Sequence, residues 1–431
     1  MALSPNAPQF DRDRRPGMMP VWVPLLGCTS VSVLSTGLYT PSLPHLTRLL
    51  ATDASAIQLT MSLNLLAFSL AQLAYGPLAD RFGRKRLLLA GLGCFAVASL
   101  ACALALGFGT LLAGRIAQGA FACVPSVVVA VIIRESYGEA RAAKVLGIYG
   151  IALGGVPALG PVIGSYIFVW LGWRANFFVL AGLATLMLLF VAYAVPETGR
   201  INRQALNLHR AVSGYGRLLK NQMYMSYLIA LTCVFGALFA FVTAGPFVLI
   251  DHLGIATQHY GVAAAVPIGA FIAGSFAATR MADRVAIVQQ VRASVLVSLS
   301  GGLLMVGLVV AGHESVAVIL IGMSLHHAGL GVLLAAGYVG LLDAVDKEYR
   351  GSASALAGSA QVAGASLASF LVGAFHDGSA LPMVATVALL CALGAMGWTV
   401  LNLTIGPNHG QSHHDRPKRK TDSEGLLSDD G

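Results

Sequence analysis

Twelve apolar segments, each close to the length needed to cross a lipid bilayer, follow one another along this chain of 431 residues. A transmembrane helix needs roughly 20 mainly apolar residues. The runs are continuous and lack the alternating pattern of barrel strands, so the sequence predicts an all-α membrane protein. Composition agrees, because only 11% of the residues are charged. The predicted spans lie near 20–42, 56–78, 87–106, 110–133, 145–167, 176–195, 223–250, 261–279, 293–311, 316–340, 352–375 and 382–404.

The basic residues are divided unevenly between the two sets of loops. Of the 27 Lys and Arg residues, 24 fall in the two tails and in the loops 79–86, 134–144, 196–222, 280–292 and 341–351. Cytoplasmic loops of membrane proteins are enriched in Lys and Arg. We therefore expect both termini in the cytoplasm, and we attribute the net charge of +8 to topology and not to a nucleic-acid partner.

A polar stretch divides six predicted helices from six. The predicted units are an N-terminal tail (1–19), a first half (20–195), a cytoplasmic linker (196–222), a second half (223–404) and a disordered tail (405–431). The sequence contains no G-x-x-x-x-G-K-[ST], H-E-x-x-H or G-x-S-x-G motif, and none of its six cysteines forms a C-x-x-C pair. It predicts no enzyme, no metal site and no cofactor.

The segment GPLADRFGRKR, residues 76–86, places five charges between long apolar runs. Gly76 and Gly83 allow the backbone to turn and to approach its neighbours closely. Asp80 is an acid among bases, and we interpret it as a partner of Arg81 or Arg141, or of the N-terminus of the eleventh helix. Such a contact between halves would be made in one conformation and broken in another. The alternative is a solvated loop that only fixes topology.

Arg115 lies inside the fourth predicted span. A charge within the membrane costs about 2.5 kcal/mol or more, so it should face a polar region of the bundle and have a partner. The alternative is a structural arginine whose N–H groups are satisfied by backbone carbonyls.

Several segments resemble the major facilitator superfamily. Residues 76–86 are similar to its loop signature at Gly76, Asp80, Arg81, Gly83, Arg84 and Lys85. In the fourth span RIAQGAFA resembles the R-x-x-Q-G motif. In the fifth, GIYGIALGGVPALGPVIGS resembles the motif of proton-driven exporters at Gly147, Gly160, Pro161 and Gly164. YTPSLP, PFVL and GSASALAGSAQ resemble the bicyclomycin-resistance branch of twelve-helix drug:proton antiporters.

This resemblance implies a fold of two six-helix halves and the export of drugs or other amphiphilic molecules in exchange for protons, by alternating access. The implied location is the bacterial inner membrane. The implied partners are a small-molecule substrate, protons and the bilayer, and the implied functional unit is a monomer. In the family, the arginine that matches Arg115 is implicated in proton coupling.

The sequence departs from that branch in the first helix. Relatives commonly carry an acid where this chain has Gly37, and no Asp or Glu lies deep in any predicted span. His326 and His327 in the tenth span are the candidate substitutes, because histidine titrates near physiological pH. Buried structural histidines are the alternative. The missing acid also keeps open a specific metabolite exporter or an uncoupled facilitator of the same fold.

Uncharged polar and aromatic residues in the spans suit a pocket for bulky, weakly specific ligands. Each of them could equally serve interhelical packing. The candidate substrate-binding residues are Tyr39, Asn64, Gln118, Phe247 and Gln361, with Gln72 as a further candidate.

Overall fold

The computed structural model describes residues 20–198 and 215–405, so the predicted tails and most of the linker lie outside the described residues. The described ranges contain twelve helices that are long and apolar enough to cross a membrane, and no strand. The twelve-helix prediction is confirmed. The helices are α1 (Trp22–Gly37), α2 (Ala54–Phe82), α3 (Arg84–Ala103), α4 (Phe108–Ser136), α5 (Glu139–Leu171), α6 (Trp173–Ala194), α7 (Gln222–Pro246), α8 (Thr257–Met281), α9 (Ile287–Val310), α10 (Val316–Asp343), α11 (Arg350–Ala374) and α12 (Leu381–Ile405).

The first span is longer than predicted and is interrupted. After Gly37 the chain forms a 3₁₀ turn, Thr40–Ser42, and then a short helix, Leu43–Leu49. Pro41 and Pro44 lack the N–H that a continuous helix would require, which accounts for the break. The seventh helix is also extended, by a π-helical turn at Phe247–His252.

The segment 79–86 is almost entirely helical, so the predicted loop is wrong in its extent. α2 continues through Phe82 and α3 begins at Arg84, which leaves Gly83 as the joint. Gly83 has φ = 95°, a conformation that L-residues with a side chain rarely adopt. Gly76 lies within α2, so its conformational freedom is not used for a turn.

The two halves meet along two helix pairs. α2 of the first half packs against α11 of the second, and α5 packs against α8. We call the end of the bundle that carries Gly83 and the loop 344–349 the basic end. The end that carries the loops 50–53 and 375–380 is the opposite end.

Contacts between the halves are dense at the opposite end. His45 Nε2 lies 2.8 Å from Thr257 Oγ1, which joins the short helix after α1 to the start of α8. Next to it, α8 also contacts the 3₁₀ turn Thr40–Ser42, and its Tyr260 is buried. Gly261 is pressed against α5, since an added Cβ would lie 2.4 Å from Val162 Cα.

The same helix pairs separate toward the basic end. A Cβ added at Gly76 of α2 or at Gly351 of α11 would meet nothing within 4 Å. The same holds for Gly147 and Gly150 on α5. The bundle is therefore closed at the opposite end and open between its halves at the basic end.

Candidate transport pathway

Arg115 is fully buried between α1, α2 and α4. Its Nη1 donates to the side-chain carbonyl of Gln118 and, at 3.4 Å, to the backbone carbonyl of Ser35. Its Nη2 contacts Met61 Sδ at 3.5 Å, and the guanidinium lies 4.6 Å from the ring centroid of Tyr39. All of these partners are uncharged. The polar surroundings expected for Arg115 are present, but they include no carboxylate.

Arg115 lies inside the fourth span, as the sequence predicted, but not at its middle. It is the eighth residue of α4, about 10 Å from the start of that helix at a rise of 1.5 Å per residue. The start of α4 lies at the opposite end of the bundle. Arg115 is therefore closer to the closed end than to the open one.

Three predicted substrate-binding residues belong to the surroundings of Arg115. Tyr39 offers its ring to the guanidinium, and its hydroxyl lies 2.9 Å from Thr60 Oγ1. Gln118 donates to Ser99 Oγ at 2.8 Å, and Asn64 donates to the backbone carbonyl of Arg115 at 2.7 Å. All three are at most 4% exposed. In this conformation they pack the first half around Arg115.

Gly37 lies where α1 crosses α5. An added Cβ at Gly37 would lie 2.9 Å from the Cα of Gly160, and one at Gly160 would lie 2.8 Å from the Cα of Gly37. At Gly164 it would lie 2.4 Å from the carbonyl oxygen of Leu38. The family resemblance leads one to expect an acid at position 37. Gly37 instead forms a backbone contact that leaves no room for a side chain. Two motif glycines of α5 form that contact, and Pro161 lies beside it.

Gly147, another member of the same motif, does not share this role. It lies toward the basic end, where an added Cβ would meet nothing within 4 Å. The structure therefore divides the predicted exporter motif into a packed part and an open part.

The two histidines of α10 are buried within the second half. Nδ1 of His326 lies 3.4 Å from Cys391 Sγ of α12, and its Nε2 has no hydrogen-bond partner among the described residues. Nδ1 of His327 lies 2.8 Å from the carbonyl of Met323, one turn earlier. The two rings point to different neighbours, as adjacent residues on a helix must.

Phe247 and Gln361 belong to the second half of the chain. Phe247 packs into the apolar cluster of the first half that includes Tyr39 and Leu43, and its ring centroid lies 5.5 Å from that of His376. Gln361 accepts a hydrogen bond of 3.1 Å from the hydroxyl of Tyr338, while its Nε2 is buried without a protein partner. The five predicted substrate-binding residues thus do not form one cluster.

Small hydroxyl side chains join α2 to α11, a feature that the motifs did not predict. Ser69 and Ser359 exchange hydrogen bonds, each donating to the other's backbone carbonyl at 2.9 Å. Ser366 donates to the carbonyl of Ser62 at 2.7 Å. A seam of small residues lets the two halves approach closely and slide or tilt without displacing large side chains.

At the basic end, Arg84 is the centre of an ion-pair network. Its Nη2 lies 3.1 Å from the carboxylate of Asp80, and its Nη1 bonds the carboxylate of Glu135 at the end of α4. The carboxylate of Glu197, just after α6, accepts hydrogen bonds from the backbone N–H groups of Arg84, Lys85 and Arg86. Glu135 and Glu197 were not predicted, because nothing in the sequence indicates that helix ends so distant in the chain are adjacent.

Asp80 and Glu197 are expected to give different phenotypes. Asp80 is 53% exposed, so Asp80→Asn should leave thermal stability unchanged but reduce transport at least tenfold, if its carboxylate engages the second half when the basic end closes. Glu197→Gln should lower stability by about 1 kcal/mol, because it weakens the cap of α3. Normal transport by Asp80→Asn would show that the segment only fixes topology. The measurements are transport in proteoliposomes and thermal unfolding in detergent.

The protein consists of two six-helix halves with buried polar groups between their helices. The halves are in contact at one end and separated at the other. This arrangement defines a transporter. The chain belongs to the major facilitator superfamily, whose family model matches residues 25–369. The family predicted from the motifs is confirmed.

The relatives agree with the predicted branch. The chain is 26% identical over 367 residues to the bicyclomycin resistance protein homolog of Haemophilus influenzae, covering 84% of this chain and 91% of that protein. It is 30% identical over 293 residues to the multidrug transporter MdfA of Escherichia coli, covering 67% of this chain and 70% of that protein.

A solved structure supports the fold alone. The crystal structure of a bacterial homolog of the human lysosomal transporter Spinster, inward-facing and occupied, matches with a TM-score of 0.68 at 15% identity. The match covers 89% of this chain and 96% of that chain.

Proposed function

We propose that this protein exports drugs or other amphiphilic small molecules across the bacterial inner membrane in exchange for protons. The observation that carries the proposal is the α1–α5 crossing. There the glycines that resemble the exporter motif, Gly160 and Gly164, contact the backbone of α1 next to Tyr39, which lies over the buried charge of Arg115. The names of the relatives, bicyclomycin resistance and multidrug transport, support the choice of substrate.

Alternating access follows from the two ends of the bundle. In the conformation described, the halves are in contact at the opposite end, so a molecule would enter the space between them from the basic end. Rocking of the halves about the α2–α11 and α5–α8 contacts would open the opposite end, breaking bonds such as that between His45 and Thr257. The cycle needs a single copy of the chain, because its twelve helices form both halves of the pathway.

Protons supply the energy in this proposal. One charge that moves through 100 mV yields about 2.3 kcal/mol, which sustains roughly a fifty-fold gradient. Arg115, His326 and His327 are the proposed coupling residues. Since Arg115 has only uncharged partners, a proton that binds next to it must bind against its field. We therefore place the titrating group elsewhere in the pathway, with the α10 histidines as candidates.

The orientation of the protein in the membrane is a separate prediction. We expect the basic end to face the cytoplasm, because 24 of the 27 Lys and Arg residues belong to the tails and loops of that side. Reporter fusions after Gly109 and after Ser213 should therefore report the periplasm and the cytoplasm, respectively. The same reading at both positions would exclude this topology.

Transport by the purified protein in proteoliposomes tests the function. We expect export of a drug such as chloramphenicol to accelerate at least severalfold when a pH gradient is imposed and to return to the basal rate when an ionophore collapses it. Transport at the same rate with and without the gradient would favour the uncoupled facilitator. Failure to transport any amphiphile would favour a specific metabolite exporter.

A further inference from the structure

The membrane interior formed by the described residues contains no acidic side chain. All twelve acidic residues in the described ranges lie in loops or within two residues of a helix end. In the family an acidic side chain is common at the position of Gly37. Here the Cα of Gly37 is too close to Gly160 for any side chain. A cation that entered the space between the halves would find no carboxylate at depth.

The interior does contain a positive charge. Arginine remains protonated in proteins, and the guanidinium of Arg115 is fully buried among neutral partners. Coulomb interactions are much stronger in the protein interior than in water, so the charge of Arg115 is felt well beyond its immediate contacts. It lowers the energy of an anion in the pathway and raises that of a cation.

The entrance of the pathway at the basic end, which we call its mouth, also has a predominantly positive charge. The ends of α5 and α8 that flank it bring four cations, Arg141, Lys144, Arg280 and Arg284, against two acids, Glu139 and Asp283. Asp80 and Glu135 are paired with Arg84, and Asp343 is paired with Arg350 at 2.9 Å. The loop 344–349 adds two further acids, Asp346 and Glu348, and one cation, Lys347. A mouth of one predominant sign concentrates ligands of the opposite sign.

We propose that the substrates of this carrier are anionic amphiphiles, such as aromatic or long-chain carboxylates, and that cations of the same size and hydrophobicity are excluded. Neutral molecules bind with intermediate affinity. The inference rests on the proposed exporter function and specifies the substrate class of the same pathway.

A pair of dyes with the same ring system tests the charge preference. Carboxylate-bearing fluorescein and a permanently cationic rhodamine share a xanthene core. Binding of each to the purified full chain is measured by fluorescence polarisation at low salt, with protein-free micelles as the blank. We expect the fluorescein to bind at least about tenfold more tightly than the rhodamine. Equal affinities, or tighter binding of the rhodamine, would overturn the proposal.

A variant with an added carboxylate tests whether the interior charge sets that preference. Gln361 is 5% exposed and has a free Nε2, so Gln361→Glu adds a carboxylate of nearly the same shape in the interior. It should bring the affinity ratio of the two dyes to about one or reverse it. Gln258→Glu, an exposed position at the opposite end, is the matched control and should leave the ratio unchanged. An unchanged ratio in Gln361→Glu would also overturn the proposal.

A second variant and a measurement without a pH gradient make the result of this test unambiguous. Gln72→Glu on α2 places a carboxylate against Gly358 of α11 and serves if Gln361→Glu is not recovered as folded protein. The dye affinities are measured without a gradient, so they do not depend on proton coupling. Equal dye affinities together with gradient-driven export would refute the charge preference alone, whereas an anion preference without gradient-driven export would refute the coupling alone.

Discussion

Replacement of Arg115 with lysine is expected to reduce the rate of transport at least tenfold while the protein still inserts and folds. The guanidinium uses Nη1 for two carbonyl oxygens, Nη2 for Met61 and its planar face for Tyr39. A lysine has one compact ammonium and cannot make these contacts together. A buried acceptor left without its donor costs about 1–3 kcal/mol, which corresponds to a roughly five- to 150-fold effect for each acceptor.

Two further variants separate the functional interpretation of Arg115 from the structural one. Arg174→Lys is the control: this arginine donates at 2.8 Å to the carbonyl of Ala105 near the opposite end, and we expect nearly normal transport. Arg115→Met removes a buried charge that has no carboxylate partner, so the melting temperature should be maintained or rise while transport is lost. A lower melting temperature in Arg115→Met, with normal transport in Arg115→Lys, would identify a helix clamp.

Replacement of Gly164 with alanine is expected to reduce transport below a tenth of the wild-type rate and to lower the melting temperature. The new Cβ would lie 2.4 Å from the carbonyl oxygen of Leu38, so α1 and α5 would have to separate. Overpacking of this kind costs about 1–3 kcal/mol. The crossing also holds Tyr39 against Arg115, and its displacement would disturb that contact.

Gly155→Ala is the matched control on the same helix. An added Cβ at Gly155 meets nothing within 4 Å, and alanine is favoured over glycine in a helix by about 1 kcal/mol. We expect this variant to be as stable as the wild type or more so, with normal transport. If both variants transport equally well, the α1–α5 crossing is not part of the mechanism. Gly37→Asp restores the family acid. It should nevertheless reduce transport and lower the melting temperature, for the same steric reason as Gly164→Ala.

Much of the architecture was predictable because it depends on local properties of the chain. The length and apolarity of the segments determine which of them can span a bilayer, and the distribution of Lys and Arg predicts which side each loop faces. The motif of residues 76–86 is contiguous, so it identified the family without any knowledge of tertiary contacts. Helix ends were less accurate, since Asp80 proved to lie inside the last turn of α2.

The site itself depended on contacts between residues far apart in the chain. Arg115 was recognised because a charge within an apolar span is conspicuous in any sequence. The absence of a carboxylate beside it is a property of how α1, α2 and α4 pack together. The partners of Arg84 likewise come from helix ends 51 and more than 100 residues away. No periodicity or spacing encodes such distances.

The sequence by itself determined the twelve helices, the family and the missing acid at Gly37. Only the tertiary structure decided why that acid is missing: Gly37 and Gly160 bring the backbones of α1 and α5 into direct contact, and a side chain at either position would push the helices apart. The structure also decided that the halves are closed at the opposite end and open at the basic end. The contact at Gly37 and the closure at one end both depend on how the helices pack. Close packing requires complementary surfaces, and these surfaces meet only in the folded chain.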